Sequence, residues 1–130
     1  PITSFLAARR EAARLPCLGV AHGDLHRGNL LAGPSGDLLL VDWEFLAPAP
    51  LGTDALRLWA TLDQAPLRAV VVERLLTALP ASTHPDLRVL ARWVALRSLA
   101  EAADDPDPSD RAAVLPRARA VLAELPAWGP

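Results

Sequence analysis

The stretch Val20-Ala21-His22-Gly23-Asp24-Leu25-His26-Arg27-Gly28-Asn29-Leu30-Leu31-Ala32, followed by Gly33-Pro34-Ser35-Gly36 and then Asp37-Leu38-Leu39-Leu40-Val41-Asp42-Trp43, decides how this chain folds. The four loop residues lie between two apolar runs, 29–32 and 38–41, a composition that predicts a β-hairpin. Closing that hairpin brings Asn29, at the start of one strand, near Asp42, at the end of the other. Asp24 lies on the loop that enters it. A carboxylate, an amide oxygen and a second carboxylate are therefore expected to converge on one small volume.

That set of groups has a specific chemical use. One amide oxygen and one carboxylate suit Mg²⁺, which keeps several waters and takes its other ligands from substrate phosphates. The remaining carboxylate can accept a proton from an attacking hydroxyl. Phosphoryl transfer asks for little more than a positioned base and metal-held phosphates. In the kinase pattern the base and a metal-binding Asn share one loop, with a metal-binding Asp downstream. Asp24, Asn29 and Asp42 follow that order, with the same five-residue step from Asp to Asn.

The segment His22-Gly23-Asp24-Leu25-His26-Arg27-Gly28-Asn29, with Val41-Asp42-Trp43-Glu44, resembles the aminoglycoside phosphotransferase and choline kinase family. Its members are small-molecule kinases with a protein-kinase-like fold. Gly52-Thr53-Asp54-Ala55-Leu56 is similar to the segment that opens the family's next helix. The resemblance rests on specific motifs over residues 18–59 and on helical texture beyond. It implies Asp24 as catalytic base, Asn29 and Asp42 as ligands of a Mg²⁺ that bridges the phosphates of ATP, and a small-molecule alcohol as acceptor. It also implies that Asp54 holds the catalytic-loop backbone from beneath. His22 is read as an anchor of the loop or a ligand, His26 as a substrate contact or a loop support, and Glu44 as a substrate contact or a solvated carboxylate.

The composition bounds the reading. The 130 residues suit one domain, with the site region at 18–44 and a helical remainder at 54–125. With 52% hydrophobic residues the chain can bury a core, and a net charge of −2 disfavours a nucleic-acid or membrane-surface binder. A single cysteine, Cys17, read as a small buried apolar residue, excludes an intrachain disulfide framework and fits a reducing cytoplasm. No apolar run reaches the ~20 residues of a membrane span. The chain has no Met and no Lys. Kinases of this kind anchor nucleotide phosphates with a lysine from a β-rich N-terminal lobe, under a glycine-rich strand pair. The resemblance therefore suggests the C-terminal lobe of a longer kinase, inactive alone and prone to self-association where the other lobe would dock.

The expected fold class is mainly α with a small antiparallel hairpin, a partial C-terminal lobe of a kinase-like α+β fold. A first helix over 4–14 is capped by Ser4 and ended by Pro16. Residues 45–51, with Pro48 and Pro50, read as an irregular loop. Asp54 is the expected N-cap of an almost wholly apolar helix over 54–62, which belongs in the core. A helix over 66–79 is expected to bury Leu67, Val71, Val72, Leu75 and Leu79 opposite Arg68, Glu73 and Arg74. A longer helix follows over 85–103, then an acidic loop over 104–110 able to attract a cationic substrate, then a helix over 111–125 kinked at Pro116. Trp43, Trp59, Trp93 and Trp128 read as core residues, with an aromatic cage as the alternative.

Two other functions compete. The His22/Asp24/His26 cluster also resembles part of a metallophosphoesterase site, which needs more His and Asp ligands than the downstream sequence offers. The chain also reads as a non-catalytic, kinase-derived helical fragment or binding module.

Overall fold

The computed structural model describes residues 2–104 and 106–125. Four short strands frame the loop that carries Asp24. Strand β2 (Leu30–Ala32) pairs antiparallel with β3 (Leu38–Leu40), Leu30 facing Leu40 and Ala32 facing Leu38. The turn is closed by the Gly33 N–H on the Asp37 carbonyl at 2.7 Å, with Gly36 at φ +84°. This hairpin is shorter than expected. Asn29 sits in a single 3₁₀ turn (Arg27–Asn29), and Asp42 lies beyond β3, although the Val41 N–H still reaches the Asn29 carbonyl at 3.0 Å.

A second sheet corrects the irregular reading of 45–51. Strand β1 (Gly19–Ala21) pairs antiparallel with β4 (Ala47–Ala49), and Val20 faces Pro48. Proline is tolerated there because both members of a two-stranded sheet are edges, where a missing N–H on the solvent side breaks no ladder bond.

The helical part is α1 (Ile2–Ala12), α2 (Thr53–Thr61), α3 (Ala65–Ala78), α4 (His84–Asp104) and α5 (Pro108–Glu124). The core gathers Leu56 and Trp59 of α2, Leu75 of α3, Leu87, Leu90 and Val94 of α4, and Val121 of α5. The all-round apolar α2 lies at its centre, as its composition predicts. Gly52, at φ +87°, caps α2, and a Cβ there would meet a Leu87 methyl at 2.7 Å. Only glycine lets α2 start this close to α4. Asp54 is thus not the N-cap; it lies in the first turn, and its carboxylate has another use.

Several expectations shift for identifiable reasons. Helix α1 already runs through Ser4, so Ser4 does not cap it. In α3, Leu67 is 46% exposed while Arg68 is buried. Arg68 is tolerated inside because Glu124 takes its Nε and Nη2, and the carbonyls of Leu62 and Asp63 take Nη1 at 2.7 and 3.0 Å. Helix α5 starts at Pro108, with Asp107 accepting the Ser109 N–H at 2.8 Å, and continues through Pro116 without interruption. The acidic loop is correspondingly short, and Asp105 lies outside the described residues. Cys17 is exposed rather than buried. Trp59 is core, Trp93 packs on Phe5 and Trp43 is half-exposed against His22, while Trp128 lies outside the described residues. The architecture is mainly helical with two small antiparallel sheets, compatible with part of a kinase-like fold. Among the described residues no helix is long and apolar enough to cross a membrane.

Candidate functional site

Helix α2 builds the loop from below. Asp54 accepts the backbone N–H of His22 at 2.8 Å and of Gly23 at 3.1 Å, fixing a turn in which Gly23 stands at φ +84°. A Cβ on Gly23 would lie 2.5 Å from the Phe45 carbonyl oxygen, so the turn passes directly against the segment after Asp42. The buried His22 ring joins the same pieces. Its Nδ1 accepts the Asp24 N–H at 3.3 Å, which leaves Nε2 to donate to the Val41 carbonyl at 2.8 Å. Its face meets Trp43 with ring centroids 4.8 Å apart. Both ring nitrogens are engaged with backbone groups.

Asp24 stands on this platform between Arg57 and His26. Its Oδ1 accepts Arg57 Nη2 at 2.6 Å, and its Oδ2 lies 3.5 Å from His26 Nε2. Partial burial pushes its pKa up, but the hydrogen bond and charge of Arg57, helped by His26 and Arg97, outweigh burial and hold it below the ordinary 3.8. Arg57 escapes a reading based on motifs. The available signal was its being the one charge on an otherwise apolar helix, because a cation that must be buried needs an acid to meet it. His26 also accepts the Gly28 N–H on Nδ1 at 3.0 Å and so shapes the 3₁₀ turn that carries Asn29.

Asn29 is buried, and its Nδ2 donates to the Asp24 carbonyl at 3.0 Å. The amide nitrogen is thereby used inside the loop, which leaves Oδ1 as the atom able to meet a hard cation. Asp42 is exposed at φ +67°, the one non-glycine residue in the left-handed region among the described residues. It directly follows Val41, whose N–H is bonded to the Asn29 carbonyl. That backbone bond ties the segment carrying Asp42 to Asn29, and an amide oxygen and a carboxylate are the kinds of donor that Mg²⁺ takes. Among the described residues no cluster of three or more His, Cys, Asp or Glu side chains is placed to hold a metal. Glu44 is exposed and, among the described residues, makes no hydrogen bond to the loop.

A cleft of about 510 Å³ opens beside Asp24. Its lining takes Asp24, His26 and Phe45 from the loop segments, Arg57 and Thr61 from α2, Arg97 and Glu101 from α4, and Arg117 from α5. It has room for a small molecule. The mouth continues over Arg27 and Gly28, sharing His26, Thr61 and Arg117 with the main cleft.

The family model for the phosphotransferase enzyme family matches residues 2–93. The chain belongs to the phosphotransferase enzyme family. No curated protein and no solved structure matches it. The matched span contains Asp24, Asn29, Asp42, Asp54 and Arg57. Arg97, Glu101 and Arg117, which also line the cleft, lie beyond it.

Proposed function

We propose that this phosphotransferase-family chain carries the catalytic site of a small-molecule kinase, moving the γ-phosphoryl group of ATP to an alcohol. The observation that carries the reading is Asp24: an ionised carboxylate on the wall of a molecule-sized cleft, in a loop that the Asn29 amide ties to the Asp24 carbonyl. In the proposed reaction the acceptor oxygen forms a bond to the γ-phosphorus as the bond to the ADP oxygen breaks. The hydroxyl proton passes to Asp24 and on to solvent. A base held at low pKa suffices because a loose transition state needs orientation of the nucleophile more than proton abstraction. Arg57 keeps that carboxylate charged and in one rotamer. Asn29 Oδ1 and the Asp42 carboxylate would hold Mg²⁺, whose contribution is to offset charge on the phosphates. Asp54 and His22 hold the loop and stay out of the chemistry.

The phosphoesterase reading loses its ligands at His22 and at His26 Nδ1, which are committed to backbone groups. The deciding experiment measures acceptor-dependent ADP release and Mg²⁺–ATP affinity for the wild type and Asp24→Asn, with this chain joined to the nucleotide-binding lobe that the resemblance implies. Transfer should fall by on the order of 10²–10⁴-fold with affinity retained, as for loss of a general base. Unchanged transfer in Asp24→Asn, or phosphomonoester hydrolysis that depends on His26, would refute it.

A further inference from the structure

Asp24 accounts for one hydroxyl of the acceptor, and the rest of the cleft must recognise what else the acceptor carries. Four guanidiniums line the cleft and its mouth: Arg27, Arg57, Arg97 and Arg117. Three carboxylates answer them. Asp24 is paired with Arg57, Glu101 lies 3.5 Å from Arg57 and 2.6 Å from Arg97, and Asp63 is shared by Arg27 at 3.2 Å and Arg117 at 2.8 Å. One positive charge remains over, on a surface whose molecule as a whole is negative.

The unused donors belong to Arg97 and Arg117. Arg97 uses Nε on Glu101 and Arg117 uses Nη1 on Asp63, and among the described residues their hydrogen bonds end there. Both side chains line the cleft and keep part of their surface open, 42% for Arg97 and 22% for Arg117, so their remaining Nη donors are within reach of a ligand. Guanidinium groups kept short of acceptors in a concave wall are groups that a ligand's oxygens complete. A cationic acceptor would instead meet three arginines with its own charge and find both nearby acids already paired.

We propose that the acceptor is a hydroxylated molecule bearing an oxyanion, a carboxylate or a phosphate, seated on Arg97 and Arg117 with its hydroxyl towards Asp24. This rests on the phosphotransfer reading for the role of the hydroxyl, not for the anion site. A matched hexopyranose series separates the possibilities: glucose, glucuronate, glucose 6-phosphate and glucosamine, titrated calorimetrically into the chain without nucleotide. At least one of the two anions should bind about tenfold or more tightly than glucose, with glucosamine weakest, as charge-assisted hydrogen bonds require. The tighter anion tells carboxylate from phosphate. Arg117→Gln should remove that preference, and Arg117→Lys should retain part of it, keeping the charge without the planar fork. If Arg117→Gln does not fold, the half-exposed Arg97→Gln is judged by the same criterion. Equal or tighter binding of glucosamine, no binding of either anion, or an undiminished preference in the folded Gln variant overturns the proposal. Anion preference without any transfer would count against the kinase reading alone, and transfer to glucosamine but not to the anions would count against the anion site alone.

Discussion

Arg57 Nη2 lies 2.6 Å from Asp24 Oδ1, so the centre of the helical core grips the carboxylate on which the proposed chemistry depends. Asp54 sits three residues earlier on α2, on the same face. One helix face therefore holds the loop twice: Asp54 by its backbone N–H groups and Arg57 by its acid.

Arg57→Ala tests the second grip. It leaves Asp24 partly buried without its main partner, and should cost about 2 kcal/mol, below the full figure for a buried pair because Asp24 is part-exposed. The sign of the pH effect follows from the direction of the shift. Asp24 is held below 3.8, so its pairing stabilises the fold fully above that pH and is lost as pH falls through the lowered value. Without Arg57, burial dominates, the pKa rises, and both the acid limb of stability and that of any transfer should move to higher pH. Urea midpoints measured from pH 3 to 7 check this; an unmoved acid limb contradicts it.

Asp54→Ala removes the acceptor of two backbone N–H groups and should cost about 1–3 kcal/mol. Because the carboxylate touches only backbone, the prediction is a loss of stability with a fall in turnover. Asp54→Asn should be intermediate, since its one oxygen can serve one of the two donors. Chemical denaturation of both variants gives the order; an Asn variant worse than Ala would oppose it.

How far these contacts were legible depends on how local they are. The hairpin is legible because Gly33-Pro34-Ser35-Gly36 between two leucine-rich runs leaves few other geometries, and the Asp24–Asn29 step fixes which residues share the loop. Arg68 is not legible: periodicity assigns an arginine to the solvent side by default, and the acid that lets it enter the core is 56 residues away. Strand β4 is missed for the same reason, since its pairing with β1 outweighs the local preference of two prolines for irregular backbone. Arg57 lay in view, but only its partner shows that it belongs to the site.

Two glycines give a controlled comparison. Gly23 and Gly36 share φ +84°, yet a Cβ on Gly23 would lie 2.5 Å from the Phe45 carbonyl, while one on Gly36 meets nothing within 4 Å. Gly36→Ala should therefore cost only the left-handed strain, about 1 kcal/mol. Gly23→Ala adds a clash with backbone and should cost about 2 kcal/mol or more while displacing the loop. Thermal unfolding of the pair decides; equal losses would show that the contact with Phe45 does not constrain the turn.

Asp42 offers a test in which stability and binding separate. A non-glycine residue at φ +67° carries backbone strain, modest for Asp, and its carboxylate is exposed rather than engaged in the core. Asp42→Gly should leave stability unchanged or raise it by up to about 1 kcal/mol, because the strain is relieved and little packing is lost. The same change should sharply weaken Mg²⁺-dependent nucleotide binding, since the phosphates lose their main protein-held counter-charge. Asp24→Ala should do the reverse for the nucleotide, leaving its affinity largely intact because the proposed base meets the acceptor rather than ATP. Calorimetric titration of Mg²⁺–ATP into both variants, beside a denaturation curve for each, separates the two roles. Equal losses of nucleotide affinity would mean that Asp24 and Asp42 do not divide base and metal between them.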